Sequence, residues 1–543
     1  MQPRLALFTL FVALFCAAVT GCQRPAAPVT TSPTVLSPDT LASVHWVGKR
    51  RLDLQADAYF FSRIWSLPET TRLQTQTFDR LATGTWRVLL GDAAAAQIPA
   101  AVLRPLLDDL AQTEAYVEVR AATNASPALA LAVHVDVHRA GLWETNLAVA
   151  VQLLTGRPAT ADPAKHGWTL QPTNSTDRLT LTRVSDWTVV SAGPEPNALA
   201  AEITARIQRE GVPFVSAGTN LWLEADLSPA RLVNTFSRSA RRTGGAGRGE
   251  VDNPSAIFHL LSAISHVGLA LTGDGGNVIT RGQVTLAQPL AALTPWQLPS
   301  DLLHEPLTSF NAVRGLQPWL AAWPVWQALP LGTPPDQGFF WSLADSPYQA
   351  YFAAPLPETS RSVATLTDWL LQTSNPWLAA HGYVGFDRAP DGNGVTWGNQ
   401  PDIRPFIKGA GDPGAGWLFA GLFPDDRTAT ASPPPAGMIQ DILRRTNLVY
   451  YGWEVTGPRL PACFQISQTA CLLAHQPQMA PTAASLTWLT TIAPRLGTAA
   501  TIVKRTGPAE LSFYRRSTLG LTATELQFLA DWLESPQFPG RNW

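Results

Sequence analysis

Three stretches of this chain repeat one layout: an amphipathic helix, a strand, a turn and a returning strand. The first runs VLRPLLDDLAQT, AYVEVRA, a turn around TNASP, then ALALAVHVDV. The second runs AIFHLLSAIS, HVGLALT, a turn at GDGGN, then VITRGQVTL. The third runs GMIQDILRRT, NLVYYGWEV, a turn at TGPR, then LPACFQIS. Apolar residues recur at three- and four-residue steps in the helices and tend to alternate in the strands. The turns carry Asn, Asp, Gly or Pro, as chain reversals need. A further hairpin, DRLTLTRVSDWTVVSAG with its turn near Ser185-Asp186, follows the strand-like GWTLQP. Alternating strands of this kind build antiparallel sheets with one covered face. The expected fold is therefore α+β: antiparallel sheets with helices packed on one face, built from these recurring units in two lobes.

Punctuation along the chain suggests where the lobes part. RRTGGAGRGEVDN, 241–253, is rich in Gly and charge and poor in apolar residues, so it reads as a linker between a lobe at 41–240 and a lobe at 254–543. DDRTATASPPPAG, 425–437, reads as a second flexible stretch. Near the end, Thr522 and Glu525 form a capping box ahead of the apolar face of LQFLADWL. Apolar residues make up 45% of the chain and charged ones only 15%, well below the usual quarter or so. Such a chain must bury a large core or offer apolar surface to a partner. The net charge of −2 gives no field that would attract nucleic acid, and no such partner is expected.

At the N-terminus, Arg4 is followed by an uncharged apolar run from Leu5 to Val19, the length of a secretory leader rather than of a spanning helix. Val19-Thr20-Gly21-Cys22 closes it, and this resembles the lipobox of bacterial lipoproteins. The resemblance implies that residues 1–21 are a signal peptide and that Cys22 is acylated as the first residue left. The membrane is then a partner through a lipid anchor, with the body in the periplasm or at the cell surface. Gln23, where that class often uses aspartate for inner-membrane retention, favours the outer membrane over the inner. Residues 22–40 hold prolines among Thr, Ser and Ala and read as an extended tether. Ser37 to Val44, SPDTLASV, resembles the opening strand of uncharacterised exported α+β proteins, a resemblance that implies no activity.

Candidates for chemistry are few. If the strand continues through His134-Val135-Asp136-Val137-His138, then His134, Asp136 and His138 share a face. His134 and His138 would stand roughly 13 Å apart at about 3.3 Å per residue, too far for one zinc ion. Only His134 and Asp136 remain as a candidate metal pair, against the ordinary reading of a solvated polar face. DRAPDGNG at 387–394 fails as a calcium loop, because Ala389 and Gly398 stand where oxygen ligands belong, and reads as a turn. Cys463 and Cys471 are an even pair in an oxidising compartment, and a structural disulfide between them is expected. Trp319, Trp323 and Trp326 fall at helical spacing, although Pro324 interrupts any helix there; such a stripe ordinarily packs into a core, and the three are the candidates for ligand binding if their rings are exposed.

No GxSxG elbow, P-loop, HExxH or Rossmann glycine pattern occurs, and no cofactor is expected. These readings favour a non-catalytic envelope lipoprotein with a binding or scaffolding role and an envelope protein or glycan as partner. The alternatives are an envelope hydrolase with scattered residues, or a glycan-binding protein using exposed tryptophans.

Overall fold

The computed structural model describes residues 34–540, except 92–98, 123–125, 164–165, 173–176, 195–196, 219, 243–261, 330, 345–348, 381, 399–403, 424–435 and 475. The leader, Cys22 and most of the expected tether lie outside the described residues. So do most of the 241–253 linker and of the 425–437 stretch.

Among the described residues, twenty strands join in one sheet. The first ten are β1 (Thr40–Trp46), β2 (Ala115–Arg120), β3 (Ala128–His134), β4 (Thr160–Asp162) and β5 (Gly167–Leu170), then β6 (Asp177–Val184), β7 (Trp187–Pro194), β8 (Leu223–Leu227), β9 (Ile264–Gly273) and β10 (Val278–Leu286). The second ten are β11 (Leu307–Arg314), β12 (Gln337–Leu343), β13 (Ala350–Pro357), β14 (Phe386–Arg388) and β15 (Gly394–Trp397), then β16 (Phe406–Ala410), β17 (Ala415–Gly421), β18 (Leu448–Val455), β19 (Thr498–Arg505) and β20 (Glu510–Ser517). Every pairing among the described residues is antiparallel.

Across the sheet the first half runs β4-β5-β6-β7-β3-β2-β1-β8-β9-β10. The second runs β14-β15-β16-β17-β13-β12-β11-β18-β19-β20. Each strand of the first half thus has its counterpart ten strands later in the same place. The halves meet through the counterparts β10 and β20, paired from Val278↔Ser517 to Thr285↔Glu510. Antiparallel pairing of two equivalent strands sets the halves in a two-fold relation. The fold is an internal duplication, divided by 287–306 and not at the 241–253 linker, because strand partners rather than local composition decide which segments belong together. A twisted open sheet seldom exceeds about ten strands, and each half reaches that number before the join.

Helices follow the same plan. In the first half α1 (Tyr59–Trp65), α2 (Pro68–Leu90) and α3 (Arg104–Gln112) lie between β1 and β2. Next, α4 (Val137–Thr155) follows β3, α5 (Ala198–Glu210) follows β7, and α6 (Pro229–Arg242) follows β8. In the second half α7 (Gln317–Ala322) and α8 (Pro324–Ala328) lie between β11 and β12, and α9 (Thr359–Trp369) and α10 (Asn375–Ala380) follow β13. Then α11 (Ala436–Arg444) follows β17, α12 (Thr456–Leu473) and α13 (Ala484–Ile492) follow β18, and α14 (Ala523–Glu534) follows β20. Thr522 and Glu525 form the capping box of α14.

Helices cover both faces of the sheet, not one. On β3, ALALAVH, Leu129, Leu131 and Val133 join a core with Trp86 of α2, Leu107 of α3 and Trp143 of α4. Ala130 and Ala132 point the other way and pack with Leu199, Ile203 and Ile207 of α5. Small alanines let a helix come close, so positions that read as the plain side of an alternating strand form a second core. The second half repeats this, with Ile442 of α11 in a cluster with Phe310, Phe339 and Phe419, and Val363 and Leu366 of α9 in another. A further core joins the halves, with Ile64 and Leu73 against Leu460, Trp488 and Leu526.

Two expected elements differ. LPACFQIS is not a returning strand but the middle of α12. Apolar and polar residues are spread around this helix, so it shows no stripe to read, and the Gly and Pro residues at its start imitate a turn. The helix expected over AIFHLLSAIS lies mostly outside the described residues, and Ile264 already belongs to β9. The expected tether also ends early: Thr34 N–H donates to Val215 O at 3.0 Å, so 34–39 belong to the body.

Candidate functional site

A largely apolar cavity of about 390 Å³ lies where the two halves meet. The sheet contributes Trp46 of β1, Trp222 just before β8, Leu271 of β9 and Val278 of β10. Phe61 and Trp65 come from α1, and Leu73 and Phe78 from α2. The second half closes it with Trp488 of α13 and with Leu526, Leu529 and Trp532 of α14.

Local sequence places these groups. Alternation along β1 turns Val44 and Trp46 into the core, while Ser43 and His45 face the opposite side. Trp222 lies against Gly273, where an added Cβ would stand 2.2 Å from the indole Cζ2, so only glycine admits the ring. The halves are tied beside the cavity: the Arg80 guanidinium donates to the carbonyl oxygens of Leu533 and Ser535. Glu534 accepts from Gln76 Nε2 at 3.1 Å and from Ser485 Oγ at 2.5 Å.

The indoles of the cavity differ in one respect. Trp65 Nε1 donates to Gln74 Oε1 and Trp488 Nε1 to Thr70 Oγ1, both at 3.1 Å. Trp46 and Trp222 are each only 2% exposed, and their indole N–H groups have no hydrogen-bond partner among the described residues. Among the described residues, no Asp, Glu, His, Cys, Lys, Arg or Ser lines the cavity. The arrangement can shelter and orient a molecule, but it holds no group that would move a proton near neutral pH.

Ionisable groups gather instead on the other face of β1. His45 Nε2 lies 2.7 Å from Glu114 Oε1, and its Nδ1 lies 3.3 Å from Ser216 Oγ and 3.9 Å from Glu224 Oε2. A Ser, a His and a Glu in contact invite comparison with a nucleophilic triad. Electrostatics argue against it. Burial opposes the charge on His45, but the hydrogen bond to Glu114 and the nearby carboxylate of Glu224 outweigh burial and raise its pKa above the ordinary 6.5. Burial likewise opposes both carboxylates, and the closeness of His45 still holds them below the ordinary 4.5. While it carries its second proton, an imidazole set between two carboxylates cannot take one from Ser216. The cluster is a clamp: it fixes the segment around Ser216, whose neighbour Val215 donates to Thr34 Oγ1 at 2.8 Å. Beside it, the buried Glu118 accepts from Thr40 Oγ1, Tyr116 OH and Arg120 Nε.

The residues singled out in the sequence lie elsewhere. The strand ends at His134, so the expected shared face does not exist. Asp136 is the N-cap of α4, its carboxylate accepting from the backbone N–H groups of His138 and Arg139. His134 instead lies against Trp187, with ring centroids 5.1 Å apart. Among the described residues no three His, Cys, Asp or Glu are grouped to hold a metal.

Cys463 and Cys471 are free thiols, contrary to the expected disulfide. Both sit on α12, where eight residues span about 12 Å of helix axis, beyond the roughly 4–7 Å between the Cα atoms of a disulfide. Burial raises the Cys463 thiol pKa.

The three tryptophans do not form one stripe. The chain breaks at Trp323, extended before Pro324 as the residue preceding proline prefers. Trp319 and Trp323 are 39% and 46% exposed. Trp326 packs inward against a core and donates to Gly332 O at 3.2 Å. Cys22 lies outside the described residues.

No family model, curated protein or solved structure matches this chain. Sequence reasoning missed Trp46 and Trp222. Their one local signal is tryptophan in the strand-like SVHWV and NLWLEADL; that the two meet depends on β1 pairing with β8.

Proposed function

We propose that this protein is a non-catalytic, lipid-anchored lipoprotein of the bacterial cell envelope whose body binds an apolar ligand between its two halves. The observation that carries the reading is the cavity, about 390 Å³ and free of ionisable lining, within the roughly 300–1,000 Å³ of small-molecule sites. Such sites concentrate where domains meet. The lipobox at Cys22 supplies the address: acylation there holds the body beside a bilayer, where apolar molecules are abundant, and Gln23 favours the outer membrane. No described helix is long and apolar enough to cross a membrane.

Two experiments test this. An environment-sensitive naphthylamine dye brightens on adding the protein, and Leu529→Trp, which fills the cavity, abolishes the response; a response that survives the filling removes the site. Cys22→Ser releases the protein from the membrane fraction, and unchanged partitioning removes the anchor. A second reading, contact with glycans, is favoured by the exposed rings of Trp319 and Trp323. It expects polysaccharide binding that is lost in the double alanine variant.

A further inference from the structure

We infer that α7 and α8 form a membrane-contacting surface, which lays Trp319 and Trp323 into the headgroup region of a lipid bilayer. The inference goes beyond the cavity, and it rests on the lipid-anchor reading for the nearness of a membrane. Residues 315–335 carry three tryptophans and no ionisable side chain. The charges that flank them are used inside the protein. Arg314 is buried and donates to the carbonyl oxygens of Leu448 and Thr294, and Asp336 accepts from Thr294 Oγ1 at 2.6 Å. Residues 287–300 again carry no ionisable side chain, and their Leu293 lies against Gly315. α7 buries none of its residues. Phe340 of β12, 47% exposed, adds a third open ring. It packs on Phe352 with ring centroids 4.8 Å apart, and Phe352 belongs to the core that Trp326 enters.

A bilayer fits this surface better than a glycan does. Tryptophan favours the membrane–water boundary, where the ring meets hydrocarbon and the N–H meets water. A specific ligand site adds placed polar groups around its apolar contacts. α7 sets Pro318, Leu320, Ala321 and Ala322 around its tryptophan, with Gln317 as its one amide side chain. The anchor also reaches this far. From Cys22 to Thr34, where the described body begins, twelve residues span at most about 40 Å. From β1 to β11 the sheet takes seven strand steps, roughly 34 Å at about 4.8 Å each. A membrane holding Cys22 is thus within range of α7. Stable attachment takes two signals, and an apolar patch supplies the second while binding weakly by itself.

Flotation with phosphatidylcholine vesicles, which carry no net charge, tests the inference. The protein is the processed chain, residues 22–543, bearing Cys22→Ser so that no acyl group contributes. It should float with vesicles at millimolar lipid, equally in about 0.1 M and about 0.5 M salt, because no charge takes part. Adding Trp319→Ala and Trp323→Ala should lower the partition coefficient about tenfold or more. Should that variant not fold, hydrogen exchange of the chain with both tryptophans decides: vesicles slow the amides of α7 and α8 and leave those of α5 unchanged. No flotation, flotation undiminished in the tryptophan variant, loss of flotation in high salt, or equal exchange with and without vesicles overturns the inference. Polysaccharide binding without vesicle binding overturns it too, and gives the rings to a glycan. The anchor is judged separately, in washed cell membranes, where weak contact by the rings alone does not survive. Release of the Cys22→Ser protein there upholds the anchor even if the vesicle test fails. Its retention there, lost only on removing the two tryptophans, sinks the anchor and keeps the surface.

Discussion

Between β1 and β2 the first half inserts residues 47–114, whose described helices include α1 to α3. Between the counterparts β11 and β12 the second half has only 315–336, with α7 and α8 of six and five residues. The strand order is the same in both, so the sheet tolerates either connection. What changes is the layer above it. In the first half the inserted helices bury Trp86 and Leu107 and reach across to α13 and α14, and the cavity lies under that reach. In the second half the short connection leaves Trp319 and Trp323 open to solvent. The duplicated frame thus supplies a rigid sheet, and the asymmetric insertion supplies the candidate site.

If one sheet joins the halves, damage to one core is felt by both. Trp143→Ala empties a fully buried site on α4 and leaves Asp109 without the indole bond it now accepts at 2.8 Å. It should cost about 3–5 kcal/mol, seen as a lower midpoint of a single denaturant transition. Two separate transitions would show the halves to be independent. The tie through Glu534 is the next test. Glu534→Ala removes the acceptor of Ser485 and Gln76 and should cost about 2 kcal/mol, in the range of hydrogen bonds to charged groups. Proteolysis should then release the C-terminal segment first.

The pH response separates the halves more finely, because the His45 clamp has no histidine in the matching strand β11. The raised pKa of His45 makes its stabilisation complete below the ordinary 6.5 and lost as pH rises through the folded value. The lowered values of Glu114 and Glu224 make theirs present above 4.5 and lost as pH falls through the folded values. The amides of β1 and β8 should therefore exchange faster on the alkaline side, and those of β11 and β18 should not follow. His45→Gln removes the alkaline loss; an unchanged profile would assign it to another group. The smallest effect belongs to the open side of the second half. Trp319→Ala and Trp323→Ala should each change stability by no more than about 0.5 kcal/mol and leave dye binding intact. A larger loss would mean that α7 covers core after all.

Much of the framework was legible locally. The hairpins β2–β3, β6–β7 and β9–β10 follow alternation and turn residues, and α14 follows its capping box. Errors came where two signals competed. HVDVH alternates like a strand, yet Asp136 is also a good helix cap, and the cap prevailed because Val137 opens nineteen helical residues that cover the sheet. LPACFQIS misled because the apolar residues of α12 are spread around the helix rather than gathered in one stripe, which hides its period. The candidate site was barely visible, for Trp46 and Trp222 are far apart in sequence and neither belongs to a motif.

Residue order by itself determined most element types, many of the turns and the low charge that demands large cores, because these depend on neighbours within a few residues. Only the tertiary structure decided that the strands form two matching sets of ten and that helices cover both faces. It also brought Trp46 and Trp222 to the lining of one cavity. Those outcomes depend on which distant strands pair, and partner choice is settled by the burial of whole faces at once.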